Sequence, residues 1–226
     1  YRFLPEDTDM GGAGNNTFPT GAIDMSTVIE QLDGIQQSGG RPNGVRYTSP
    51  SFMGASLRFG TYEGGSTDVA VHYSAKLFDG TAFQTDVDAR FAGWNTSGNT
   101  TNSDGGYGGS ISALHSSGVS LTFAGAEQDD NQEAIAGSAK DPNNLYTKVG
   151  YQFKYLNLGK TNLSGSWQEN NDFGGTDQTV MIWGVNIVQE FEAYGTEIYA
   201  GYANFDLDTG LSTQDDFDDI DSGWVG

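Results

Sequence analysis

Val69-Ala70-Val71-His72-Tyr73-Ser74-Ala75-Lys76-Leu77 alternates residue by residue between two kinds of side chain. Successive side chains of a β-strand point to opposite faces, so Val69, Val71, Tyr73, Ala75 and Leu77 share one face while Ala70, His72, Ser74 and Lys76 share the other. A helix, with its period of 3.6, would scatter the same residues around its circumference. The following segment obeys the same rule, with Phe83, Thr85, Val87, Ala89 and Phe91 opposing Gln84, Asp86, Asp88 and Arg90. One face therefore meets an apolar medium and the other a polar one.

The pattern extends in both directions. Upstream, Ala55, Leu57 and Phe59 oppose Ser56, Arg58 and Gly60. Downstream, Ile111 and Ala113 oppose Ser110 and Ser112, and Val119, Leu121 and Phe123 oppose Ser120 and Thr122. Leu145, Val149, Tyr151, Phe153 and Tyr155 then oppose Lys148, Gln152 and Lys154, and Leu163 and Trp167 oppose Asn162, Ser164 and Ser166. Met181 to Val188 is apolar on both sides, so alternation alone does not orient it; Ile198, Ala200 and Tyr202 resume the pattern. Many of the aromatic residues, Phe123 and Trp167 among them, are expected near strand ends, as in the girdles of a membrane barrel. Ile220 to Gly226 reads as the beginning of a further strand.

The connections alternate in length. Ser49-Pro50-Ser51, Phe78-Asp79-Gly80, Ser116-Ser117-Gly118 and Leu158-Gly159-Lys160 carry short-turn chemistry. Glu63 to Ser66, Asn95 to Gly106, Gln128 to Asn144, Asn170 to Asp177 and Asp206 to Asp219 read as the long polar set. Short turns at one end and long loops at the other are the layout of an outer-membrane β-barrel. A soluble, acidic β-sandwich serving as a binding or adhesion module is the alternative, because it also uses short alternating strands. The small polar residues on the second face suit a wet lumen better than a solvated outer surface, where Lys and Glu dominate.

Composition narrows the functions. The chain has 226 residues, with 10 Lys and Arg against 30 Asp and Glu, a formal net charge of −20. A basic surface for nucleic acid is missing from such a chain. Cysteine is absent, so neither a disulfide framework nor a thiolate metal site can form. No stretch of about 18 apolar residues is present to make a transmembrane helix. His72 and His115 are the only histidines, and neither has a nucleophile at a spacing that suggests catalysis. Phosphate loops and dinucleotide fingerprints are also missing. An enzyme is not expected, although an outer-membrane barrel enzyme is a third class to weigh. No cofactor is expected either, beyond Ca²⁺ or Mg²⁺ at acidic loops. Glu127, Asp129, Asp130 and Glu133 form one such group, and Asp216, Asp218 and Asp221 lead the second. Hard cations need several oxygens at once, but a solvated acidic loop explains the same clustering.

Residues 1–42 break the alternation. They form a loop rich in Gly, Asn, Asp and Thr, in which Thr27 to Gly34 has the capping-box spacing and C-terminal glycine of a short helix. Next comes Arg41-Pro-Asn-Gly-Val-Arg-Tyr-Thr-Ser-Pro-Ser-Phe-Met-Gly54. This segment resembles the pattern that follows the constriction loop in Gram-negative general porins, with Arg41, Asn43, Val45, Arg46, Tyr47, Ser49, Pro50, Phe52 and Gly54 in the matching places.

The resemblance implies a single all-β domain over residues 1–226, a transmembrane antiparallel β-barrel of the sixteen-stranded, trimeric kind. Residues 7–40 would be a long loop folded into the lumen, and residues 43–226 the successive strands, turns and external loops. About eleven strands are expected, so the chain reads as a fragment lacking the first strands. The implied function is an outer-membrane channel in a Gram-negative bacterium for passive diffusion of small hydrophilic solutes and ions, with a cation bias. A homotrimer embedded among lipid and lipopolysaccharide is the implied assembly. The pore constriction would set Asp9, Asp24, Glu30 and Asp33 of the loop against Arg46, Arg58, Lys76 and Arg90 of the wall.

Overall fold

The computed structural model describes residues 43–95, 105–129, 141, 143–154, 157–172, 179–208 and 219–226. The expected loop at 7–40, with its short helix, lies outside them. The described residues form strands and connections only. The strands are β1 (Gly44–Thr48), β2 (Ala55–Tyr62), β3 (Thr67–Leu77), β4 (Thr85–Asn95), β5 (Gly105–His115), β6 (Val119–Asp129), β7 (Asn143–Phe153), β8 (Thr161–Asn171), β9 (Thr179–Phe191), β10 (Thr196–Asp208) and β11 (Ile220–Val225). Most are 11 to 13 residues long, enough to cross a bilayer core when tilted.

All eleven belong to one antiparallel sheet in which spatial order equals chain order. Every strand pairs with its neighbour in sequence, so the fold is a plain meander. β1 and β11 are the two edges and do not pair with each other. In hydrocarbon an unpaired backbone edge costs several kcal/mol for each unsatisfied group, so both edges need partners in the membrane.

Register shows what each face carries. Cα partners share a face, and Phe59↔Val69, Val71↔Phe91, Ala89↔Ile111, Ile111↔Phe123, Leu121↔Val149, Tyr151↔Leu163 and Trp167↔Trp183 join the apolar residues into one continuous surface. The burial of this protein is inverted relative to a water-soluble one. Phe59 is 53% exposed, Ile111 50% and Val149 54%, whereas Ser112 and Asn170 on the polar face are each 1% exposed. The enclosed face is therefore the polar one, and its hydroxyls and carboxamides bond one another, as Ser112 Oγ does with Thr122 Oγ1 at 3.0 Å. An apolar surface running across so many strands would drive aggregation in water, but it matches lipid. A two-sheet sandwich is excluded among the described residues: there is one sheet, and Leu57, Val71 and Leu121 face outward, exposed.

The register also orients β9, which alternation could not. Met181, Trp183, Val185 and Ile187 face outward with Leu163 and Trp167, while Ile182, Asn186 and Val188 face the polar side. β4 starts at Thr85, and Phe83 lies in the connection before it. Phe123 and Trp167 sit mid-strand in β6 and β8 rather than in an end girdle.

The connections fall into two sets at opposite ends of the strands. Glu63–Ser66 belongs to the long-loop end but is a four-residue hairpin between β2 and β3, shorter than its polar composition suggested. Ser116-Ser117-Gly118 is a three-residue hairpin in which Gly118 takes φ of 91°, closed by Gly118 N–H donating to the His115 carbonyl at 2.8 Å. A Cβ there would also collide with the Gln152 carbonyl, which the next hairpin brings alongside. Glu192–Gly195 makes a fifth turn at this end.

Candidate permeation pathway

The polar face gathers the charges. Arg46 of β1, Arg58 of β2, Lys76 of β3, Arg90 of β4 and Lys148 of β7 all lie on it, by register with Gly60, Ala70, Asp86, His72 and Thr122 respectively. Asp68, Asp86, Asp88, Glu190 and Glu197 occupy the same face. On these strands the two signs balance, so the net charge of −20 resides elsewhere. Part of it stands at the long-loop end of the apolar face, where Glu127, Glu169, Asp206, Asp208 and Asp221 replace hydrocarbon side chains.

Two clusters form among the charges of the polar face. In the first, Arg46 donates through Nε and Nη2 to the Tyr62 hydroxyl at 3.3 and 3.1 Å, and that hydroxyl donates to Asp68 Oδ1 at 2.9 Å. The phenol thus bridges a guanidinium and a buried carboxylate. Gly60, the Cα partner of both Arg46 and Asp68, leaves the space they use: a Cβ would run into the Asp68 carboxylate and the Tyr62 ring. In the second cluster, His72 Nε2 lies 2.7 Å from Asp88 Oδ2, and Arg90 Nε lies 3.7 Å from Asp88 Oδ1. Lys76 faces Asp86 one register step nearer the short-turn end.

Further round the sheet the wall is largely uncharged and hydrogen-bonded. Gln168 Nε2 donates to Asn170 Oδ1 at 2.9 Å, Gln152 Nε2 to Asn162 Oδ1 at 2.9 Å, and Asn162 Nδ2 to Glu190 Oε1 at 3.1 Å. Lys148 rises from this stretch between Thr122 and Ser166. At the short-turn end a cavity of about 310 Å³ opens among the ends of β4, β5 and β7 and the turn after β9.

The four wall cations expected from the sequence are thus on one face, on consecutive strands. Their expected counterparts Asp9, Asp24, Glu30 and Asp33 lie outside the described residues. Of the candidate cation ligands, Asp216 and Asp218 lie outside as well. Asp221 is on β11, where it accepts from the Tyr202 hydroxyl and from Asn204 Nδ2, while Asn204 also donates to Asp219. Among the described residues no group of three or more His, Asp or Glu side chains is arranged to hold a metal ion. Sequence reading placed Lys148 on the polar face without assigning it to the pathway, read Tyr62 only as a strand-end aromatic, and passed over Asp68. Their alternation was visible, but that they meet Arg46 depends on the β1–β2–β3 register.

A continuous apolar surface backed by an enclosed, charged and hydrogen-bonded one is the wall of a water-filled channel, and the comparisons agree. The family model for Gram-negative porins matches residues 4–210. The chain belongs to the Gram-negative porin family. It is accordingly an outer-membrane β-barrel channel protein, of a family whose members generally assemble as trimers and pass small solutes. No curated protein and no solved structure gives a match. In this porin the polar face is the lumenal wall, and the apolar face is the surface toward lipid or a neighbouring barrel.

Proposed function

We propose that this porin is a passive, cation-biased diffusion pore for small hydrophilic solutes and ions, and that it works as a homotrimer among lipid and lipopolysaccharide. No energy source or chemical step is involved. The observation that supports the reading is the placement of Arg46, Arg58, Lys76 and Arg90 on adjacent strands of the lumenal face. A cationic wall of this kind calls for an acidic counterpart, and residues 7–40 supply Asp9, Asp24, Glu30 and Asp33. Acid opposed to base across a narrow point sets up a transverse field that orders water and favours polar solutes.

The sign of the bias follows from where the charge sits. The lumenal strands are balanced, so preference for cations comes from the loop acids and from the acidic rim and loops at the long-loop mouth. Ca²⁺ or Mg²⁺ at those loops, around Asp216, Asp218 and Asp221, would weaken the bias by neutralising it. Reversal potentials in a planar bilayer under a KCl gradient test the proposal. Cation preference that falls when Asp24, Glu30 and Asp33 are changed to Asn, Gln and Asn is the expected result. Preference unaffected by the triple change would remove this loop from the selectivity mechanism.

A further inference from the structure

Of the two histidines in the chain, His72 alone stands on the lumenal wall. Its Cα partners are Ser56 of β2 and Arg90 of β4. His115 pairs with Thr85 at the short-turn end of β5, on the opposite parity, where its Nδ1 accepts from the Ser117 N–H at 3.1 Å. Histidine is the one side chain whose ordinary titration falls between pH 5 and 8, a range in which lysine, arginine and ordinary carboxylates keep their charge. His72 Nε2 lies 2.7 Å from Asp88 Oδ2. An ionised carboxylate only accepts, so Nε2 carries the hydrogen of that bond and Nδ1 is the atom that takes up a further proton. With 37% of the side chain exposed, the ring meets lumenal water. The charges around it come from three strands. Arg90 opposes it on β4, with Nε 3.7 Å from Asp88 Oδ1. Arg58 of β2 lies one step along, opposite Ala70, and Asp68 and Lys76 share the lumenal face of β3, Lys76 opposite Asp86. While the imidazole is neutral, the His72–Asp88–Arg90 cluster balances. Once it is protonated, the cluster carries one net positive charge.

We infer that His72 is a proton-sensitive selectivity element of the lumen: uptake of a proton from lumenal water at Nδ1 gives the balanced cluster a net positive charge and lowers the preference of the pore for cations. The inference rests on the channel reading and adds regulation to it. Asp88 stays ionised and bound to the ring through Nε2, so the response needs no movement of a strand and no closure. Its direction follows from the wall. Arg46, Arg58, Lys76 and Arg90 already occupy this side of the lumen, and a further positive charge among them repels passing cations and attracts anions.

The test is the reversal potential of the porin in a planar bilayer under a KCl gradient near 0.1 M, at about pH 7.5 and about pH 5.5. The cation-to-anion permeability ratio should be about twofold lower at the acid pH, the effect of one screened unit charge on the wall of a water-filled pore. His72→Gln should hold the ratio at its neutral value at both pH values, and His72→Lys should hold it at its acid value at both. His115→Gln should leave the step intact. A ratio that is the same at both pH values in the unsubstituted porin overturns the inference without any reliance on how the variants fold. A step that survives in His72→Gln overturns it too, by assigning the response to other groups. Steady current with a pH-independent ratio removes the inference alone, whereas no current at either pH removes the channel reading and the inference with it.

Discussion

His72 Nε2 lies 2.7 Å from Asp88 Oδ2, a diagonal contact across β3 and β4 on the lumenal face, with Arg90 on the other side of the same carboxylate. Both side chains keep roughly a third of their surface in water. Exposed pairs of this kind contribute about 0.2–1 kcal/mol. Asp88→Asn should therefore leave thermal stability nearly unchanged while releasing positive charge into the pore. The expected readout is a reversal potential shifted toward anions at 0.1 M KCl, shrinking as salt shortens the screening length to about 3 Å near 1 M. A shift that persists at high salt would point to altered pore shape instead.

Gly60 and Tyr62 set the position of the Arg46–Tyr62–Asp68 cluster. Tyr62→Phe removes the hydroxyl that bridges Arg46 and Asp68 and should cost about 1–3 kcal/mol in urea unfolding, the range for leaving a buried polar group unpaired. Gly60→Ala should cost about 1–3 kcal/mol by crowding. The two effects should add to less than their sum in the double variant, because both act on the same Asp68 carboxylate.

The two faces should respond oppositely to the same added charge. Val149→Arg puts a guanidinium on the outward face in the middle of β7, where lipid contact makes it cost about 2–4 kcal/mol. Ser166→Arg, on the lumenal face beside Lys148, should leave folding into bilayers intact and lower single-channel conductance with a shift toward anions. Equal destabilisation by both would contradict the assignment of the faces.

The acidic rim predicts a response to divalent cations. Raising Mg²⁺ on the long-loop side from micromolar to millimolar should reduce cation preference. Addition from the short-turn side should do so less, since Glu127, Glu169, Asp206 and Asp221 all stand at the long-loop end of the sheet. Identical titrations from the two sides would place the controlling charges inside the lumen.

Cross-linking in intact outer membranes should trap three chains, and the species should survive mild detergent. Light scattering of a monomer at all concentrations would rule out the trimer.

Alternation by itself determined the strands. Val69 to Leu77 and its successors could be read because a strand's side-chain period is two whatever surrounds it, and the matching local pattern at Arg41 to Gly54 carried the family. The same parity put Arg46, Arg58, Lys76 and Arg90 on the polar side. It left Met181 to Val188 undecided, because a strand apolar on both sides carries no parity signal; only pairing with β8, which aligns Trp183 with Trp167, turned it. Long-range register also decided that Tyr62 bridges Arg46 and Asp68, and that Asp86 shares a cavity with Lys154 and Lys160, residues about 70 positions away in the sequence. Which face is wet was legible in its small polar side chains; what only the tertiary structure decided is how far that face is enclosed, because the neighbouring strands bury Ser112 and Asn170 on it and leave Phe59 and Val149 exposed on the other.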